Sequence, residues 1–254
     1  MKESLSMSPE VLTDSKFEKK EERIIGILTL TRHSKTNYTE KYPDITEEGR
    51  LVAQKKAQKI KERNGNSSSG EDRFYTSSPN ARALGTMDII KEAMGDKDEP
   101  THLSNSIRSM DVFDMAGAVE IFQELQGERR DPELVGKKYH SDERFEYRPE
   151  IIEPRSKVKK RAMRALEYLI RKLDAYAGQK TPHVFATSHF EVINPIVAEV
   201  FGLDAGEDDL FGHVEDVRIE FLEPEDSDII PMRMYFRGEK RAVSFDRKTR
   251  RIIL

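Results

Sequence analysis

The chain contains no cysteine. This removes disulfides, thiolate metal sites and cysteine nucleophiles, and says nothing firm about compartment. It also lacks a strong charge of either sign, with a formal net charge of −4 and an isoelectric point near 6.0. A chain with no basic field is a poor nucleic-acid binder. No apolar run exceeds the length of a strand, whereas a membrane span needs roughly 18 such residues. Mean hydropathy is −0.71 and charged residues make up 35% of the sequence, so a solvated, cytoplasmic protein is expected, with no membrane partner. Residues 1–23 have neither an apolar secretory core nor a small-residue cleavage pattern. With so few apolar side chains they are expected to form a disordered tail. The remaining residues, 24–254, are enough to bury the core of a single domain.

Apolar runs ending abruptly in polar residues give that domain its pattern. Residues 24–31 read as a buried strand, β-branched and short, followed directly by Arg32 and His33. Thr46-Glu47-Glu48 places a hydroxyl cap and two acids at the start of a helix with Val52, Ala53, Ala57 and Ile60 on its apolar side. Residues 74–76 form a second short strand, and Ser78-Pro79 is expected to open the next helix with proline in its first position. Gly95 is placed to close it. Met115, Val119, Phe122 and Leu125 recur at helical spacing over residues 114–126, and a charged, irregular insert is expected near 127–152.

Residues 153–177 carry the clearest amphipathic stripe, from Val158 to Tyr176, and the basic run Lys157 to Arg164 reads as its solvated face. A strand at 183–188 ends in His189, a helix spans 191–201, and a strand covers 217–222. Residues 232–236 and 242–245 flank Arg237-Gly238-Glu239-Lys240 as a hairpin. Alternating strands and helices predict an α/β three-layer sandwich: a mostly parallel central sheet, helices on both faces, and an antiparallel edge hairpin.

Arg32, His33, Arg82 and His189 all fall where a buried strand would run out into a loop or helix start. In open α/β sheets that edge binds ligands. Two imidazoles and two guanidiniums gathered there suit a phosphoryl group. His102, His140, His183 and His213 show no metal-ligand spacing and read as solvent-facing or packing residues. Lys35 and Asn37 could reach a substrate from the first loop, although polar loop residues of this kind are more often simply exposed.

The order of these segments resembles the histidine phosphatase superfamily, also called phosphoglycerate mutase-like. Leu30-Thr31-Arg32-His33-Ser34-Lys35-Thr36 is similar to its Arg-His-Gly-Glu-Thr segment, and Thr46-Glu47-Glu48-Gly49 to its Thr-x-x-Gly. Ser77-Ser78-Pro79-Asn80-Ala81-Arg82-Ala83 matches Ser-Pro-x-x-Arg-Ala, and Thr187-Ser188-His189-Phe190-Glu191-Val192-Ile193 resembles Ser-His-Gly-Gly-Val-Ile. The resemblance runs over residues 24–222 and is weak between 95 and 152.

It implies a phosphoric monoester hydrolase of the histidine acid phosphatase type, needing no metal or other cofactor. His33 would take the phosphoryl group, while Arg32, Arg82 and His189 hold its oxygens and Asn37 contacts the substrate, a phosphorylated small molecule or a phosphoprotein. A general acid is also implied. Laying residues 107–117 on the corresponding segment puts Ser109 in the acid's place, so Asp111 is the first candidate for that catalytic role, with Asp114 and Glu120 behind it. Ser34 and Phe190 stand where the family has glycine, and a side chain there is expected to narrow or reshape the pocket mouth. Those departures leave open a phosphate-binding regulatory module with weakened turnover. A phosphomutase remains a variant of the enzyme, and a two-histidine metallohydrolase ranks last.

Overall fold

A computed structural model describes residues 22–37, 44–64, 71–126, 139, 143–176, 180–203 and 211–254. Strand β1 (Ile24–Arg32) lies at the centre of an eight-stranded sheet ordered β3-β2-β4-β1-β5-β6-β7-β8. The flanking strands are β2 (Glu71–Ser77), β3 (Thr101–Leu103), β4 (Thr181–Ser188), β5 (Asp216–Leu222), β6 (Ile229–Phe236), β7 (Glu239–Asp246) and β8 (Arg251–Ile253). Strands β3, β2, β4 and β1 run parallel, and from β5 outward every pairing is antiparallel. The expected α/β sandwich is therefore present, and its antiparallel edge extends over four strands. In the β6–β7 turn Arg237 and Gly238 take φ of 48° and 84°, as a tight hairpin requires.

The central strands bury both faces, while β6, β7 and β8 bury only one. On one side α1 (Glu47–Asn64) and α2 (Ala81–Met94) cover Tyr75 and Phe185 with Ala53, Ala57, Ile60, Met87 and Ile90. On the other, α5 (Arg155–Ala175) and α6 (Phe190–Phe201) pack Val158, Leu166, Ile170, Val192 and Ile196 against Leu28, Leu30, Val184 and Ala186. The alternation along β4, with Phe185 on one face and Val184 and Ala186 on the other, is the period-two pattern of a strand buried twice. Between these layers lie a 3₁₀ turn (Asn105–Ile107), α3 (Met115–Gln126) and a short α4 (Arg144–Tyr147).

Several local expectations change. Asn80 caps α2 and Pro79 precedes it, so proline serves the approach rather than the first helical position. Gly95 does close that helix, at φ 83°, where a left-handed residue suits glycine. Val52 is exposed, and the buried face of α1 is Ala53, Ala57 and Ile60. Helix α3 forms, yet Met115 and Val119 face solvent while Ala118 and Ile121 are buried; the spacing located the helix without fixing its inward side. Of the expected insert, residues 127–138 and 140–142 lie outside the described residues. The described part is not simply solvated, because Tyr139, Phe145, Ile151 and Ile152 belong to the core. The tail through residue 21 and His140 also lie outside the described residues.

Candidate active site

Register builds the site. Parallel pairing of β1 with β4 sets Arg32 opposite Ser188, so the next residue on each strand, His33 and His189, emerges at the same edge. The His33 amide donates to Ser188 O at 2.9 Å, and the imidazole centroids lie 4.9 Å apart. Strand β2 pairs Ser77 with Thr187, and the Ser78 amide donates to Thr187 O at 2.9 Å. That fixes the entry to α2 beside the same edge. Arg82, in the first turn of α2, then spans both rings: Nε donates to His33 Nε2 and Nη2 to His189 Nδ1, each at 3.2 Å. The N-terminal ends of α2 and α6, capped by Asn80 and His189, both open on this point, and such ends favour anions.

The hydrogen bonds fix both tautomers. His33 Nδ1 lies 2.7 Å from Ser34 O; a carbonyl only accepts, so Nδ1 carries the proton and Nε2 keeps its lone pair. Arginine only donates, so His189 Nδ1 is the acceptor and Nε2–H faces Ser78 Oγ at 2.8 Å. Ser78 passes the chain on, donating to Asn80 Oδ1 at 2.8 Å. Burial first, and then His189, Arg82 and Arg32, hold the His33 pKa well below its ordinary value. Burial, Arg82, Arg32 and Arg161 do the same for His189. Both rings are therefore neutral at physiological pH, and His33 offers an unprotonated nitrogen.

Arg32 is held differently. Its Nη1 donates to Phe211 O at 2.7 Å, Nη2 approaches His213 Nε2 at 3.2 Å, and the Phe190 ring lies 5.0 Å from its Cζ. Phe190, which replaces a glycine of the family pattern, thus stacks on the guanidinium. Ser34, the other replacement, does not narrow the pocket: its hydroxyl donates to Gly49 O at 2.6 Å, turned towards α1. Neither residue takes a positive φ, so the backbone path does not require glycine at either place.

Among the other expected site residues, Asn37 is exposed at the end of the described loop, and Lys35 pairs with Glu48 at 3.0 Å in solvent. Asp111 has its contacts elsewhere than on the two histidines: its amide donates to Glu153 Oε2 at 3.3 Å. Arg108 grips both its oxygens, and this hydrogen bonding holds the carboxyl below its usual range. Asp114 caps α3 through the Ala116 amide at 3.0 Å, and Glu120 is exposed. Among the described residues, no group of three His, Asp or Glu side chains is arranged to hold a metal ion, and no helix is long and apolar enough to cross a membrane.

Sequence reasoning missed three participants. His213 was read as solvent-facing or packing, yet its ring centroid is 5.6 Å from that of His33. It arrives on the turn before β5, where Val214 takes φ 57°, a costly conformation for a β-branched residue. Burial, followed by Arg32, pushes the His213 pKa down to about 3. Arg161 lies inside a run read as a solvated face, but its side chain is 12% exposed. It donates to the carbonyls of Ser106, Arg108 and Ser109 and pairs with Glu153. Glu191 is 4% exposed, and nothing in its sequence context marked it apart from an ordinary first-turn acid.

Comparison with known proteins bears on the family and the fold. No curated protein sequence matches the chain. Among solved structures, the chain is similar to a mycobacterial hydrolase with a TM-score of 0.58 and 16% identity, covering 85% of this chain and 100% of the other. Phosphoglycerate mutase from Bacillus anthracis str. Sterne aligns with a TM-score of 0.55 and 14% identity over 89% and 95% of the two chains. Mycobacterial glucosyl-3-phosphoglycerate phosphatase aligns with a TM-score of 0.54 and 17% identity over 77% and 90%. At these identities the likeness speaks for the fold. The family model for the histidine phosphatase superfamily (branch 1) matches residues 28–234, and the chain belongs to that superfamily.

Proposed function

We propose that the protein is a metal-independent phosphomonoesterase working through a phosphohistidine on His33. The observation that carries this reading is the His33 ring itself: neutral, with its proton tied to Ser34 O and its Nε2 lone pair beside Arg82. Nε2 attacks phosphorus as the bond to the leaving oxygen breaks, giving a phosphoramidate. Water then attacks the same phosphorus, and the N–P electrons return to Nε2. Phosphoryl transfer passes through a loose, charge-rich transition state, so positioned cations provide most of the catalysis. Arg32 and Arg82 supply forked donors to the oxygens and the two helix ends add backbone amides; His189 joins them when its Nε2–H exchanges Ser78 Oγ for a phosphate oxygen. The substrate class is a phosphomonoester, carried by a small molecule or a phosphoprotein.

Hydrolysis of a chromogenic aryl phosphate in excess EDTA tests the reading, with His33→Ala as the control. Turnover should survive chelation and vanish in the variant. Rapid quenching should trap a label that is acid-labile and alkali-stable, as a phosphoramidate is. Phosphate binding without any hydrolysis would instead make the protein a regulatory module, and loss of activity on chelation would make it a metalloenzyme.

A further inference from the structure

Ser109 occupies the place where the resembled family segment carries its acid, and the nearby aspartates are engaged elsewhere. The structure nevertheless brings a carboxyl group to that place from another element. Ser109 Oγ donates to Glu191 Oε1 at 2.8 Å across 82 residues of chain. Glu191 sits in the first turn of α6, two residues after His189. Its second oxygen, Oε2, is buried with no hydrogen-bond partner among the described residues. An acid placed only to favour a helix N-terminus gains from the dipole while exposed. Burying one oxygen unpartnered costs free energy that such a role does not explain.

The surroundings fix this arrangement. Arg161 Nη2 donates to Ser109 O at 2.9 Å, and the same guanidinium is close enough to act on the His189 ring. Ser188 Oγ donates to Ile107 O at 2.7 Å. The 105–109 segment is thereby tied at one point to the strand end that precedes His189 and at another to α5. One oxygen of Glu191 is anchored by a hydroxyl on that segment, and the other is buried without a partner among the described residues.

We propose that Glu191 is the proton donor to the leaving group, with Ser109 as its positioning residue; this rests on the phosphohistidine reading. As His33 Nε2 bonds to phosphorus and the P–O bond breaks, the leaving oxygen takes the proton from Glu191 Oε2 and departs as the alcohol. The resulting carboxylate then accepts a proton from the water that attacks phosphohistidine. Release of inorganic phosphate returns neutral His33 and protonated Glu191. Atoms and charge close without any further reactant.

The leaving group provides the test. p-Nitrophenyl phosphate expels a stable anion and needs little proton donation, whereas an alkyl phosphate such as glycerol 2-phosphate needs it. Glu191→Gln should lower kcat/KM for the alkyl ester on the order of 100-fold while leaving that for the nitrophenyl ester nearly unchanged. Ser109→Ala should show the same selectivity to a smaller degree. Inorganic phosphate should still raise the Tm of both variants, which shows a folded, intact anion pocket. Equal losses on both esters, no loss on either, or the selective loss appearing in Asp111→Asn would overturn the assignment. Wild type and His33→Ala run alongside separate the two failures: if wild-type turnover is absent or independent of His33, the phosphohistidine reading falls, and this assignment with it.

Discussion

Arg82 contacts His33 with Nε and His189 with Nη2, so one planar fork sets the spacing of the two rings before any phosphate arrives. Loss of a positioned donor of this kind costs about 2.7–4 kcal/mol of barrier. Arg82→Ala should therefore lower kcat by roughly 10²–10³-fold. Arg82→Lys should recover little, because an ammonium cannot reproduce a two-nitrogen fork. Steady-state kinetics of both variants decides it; a lysine variant near wild-type kcat would mean that charge alone suffices. Arg82 was legible from sequence because Ser77-Ser78-Pro79 announces a strand end and a helix start together. His213 and Glu191 were not, because their roles come from contacts across 181 and 82 residues, and nothing in the local pattern of either segment records the partner.

The contact between α1 and the loop after β1 shows how one element holds a catalytic ring in place. Thr46 Oγ1 accepts the Gly49 amide at 3.0 Å and caps the helix, as its sequence position suggested. Gly49 itself lies so close to that loop that a Cβ would stand 2.4 Å from Lys35 O and 3.1 Å from Ser34 Oγ. A side chain here must push α1 away from the segment whose carbonyl, Ser34 O, fixes His33 Nδ1. Gly49→Ala should destabilise the protein by about 1–3 kcal/mol, the usual range for overpacking, and should lower kcat because the imidazole loses its anchor. Thermal melts and kinetics on the same preparation check both effects; unchanged values would mean that the loop yields freely. At this scale the Thr-x-x-Gly pattern was readable and its reason was not, since the close approach involves backbone 14 residues earlier in the chain. Helix α3 teaches a related lesson: its period was legible, but its buried face was set by Ile151 and by the rest of the core around it.

Over the whole molecule, the site gathers rings that the fold keeps uncharged. His33 and His189 are held well below their ordinary pKa, and His213 is pushed down to about 3. In the unfolded chain each would protonate near pH 6.5. Below that pH the unfolded state binds protons that the folded state refuses, so stability falls as pH falls; above it these rings have no effect. Each steepens the loss by at most about 1.4 kcal/mol per pH unit, and His213 stops contributing only near pH 3. Between about pH 6.5 and 5, above the range where ordinary carboxylates titrate, the histidines should dominate the slope. Calorimetric Tm values across that window should fall steadily, and His213→Gln should flatten the fall by about one proton's worth. Saturating inorganic phosphate should also reduce it, because a bound anion lowers the cost of protonating the rings around it. A wild-type Tm that stays level through the window would show that the rings are not kept neutral, and with that the argument for an unprotonated His33 nucleophile would fail.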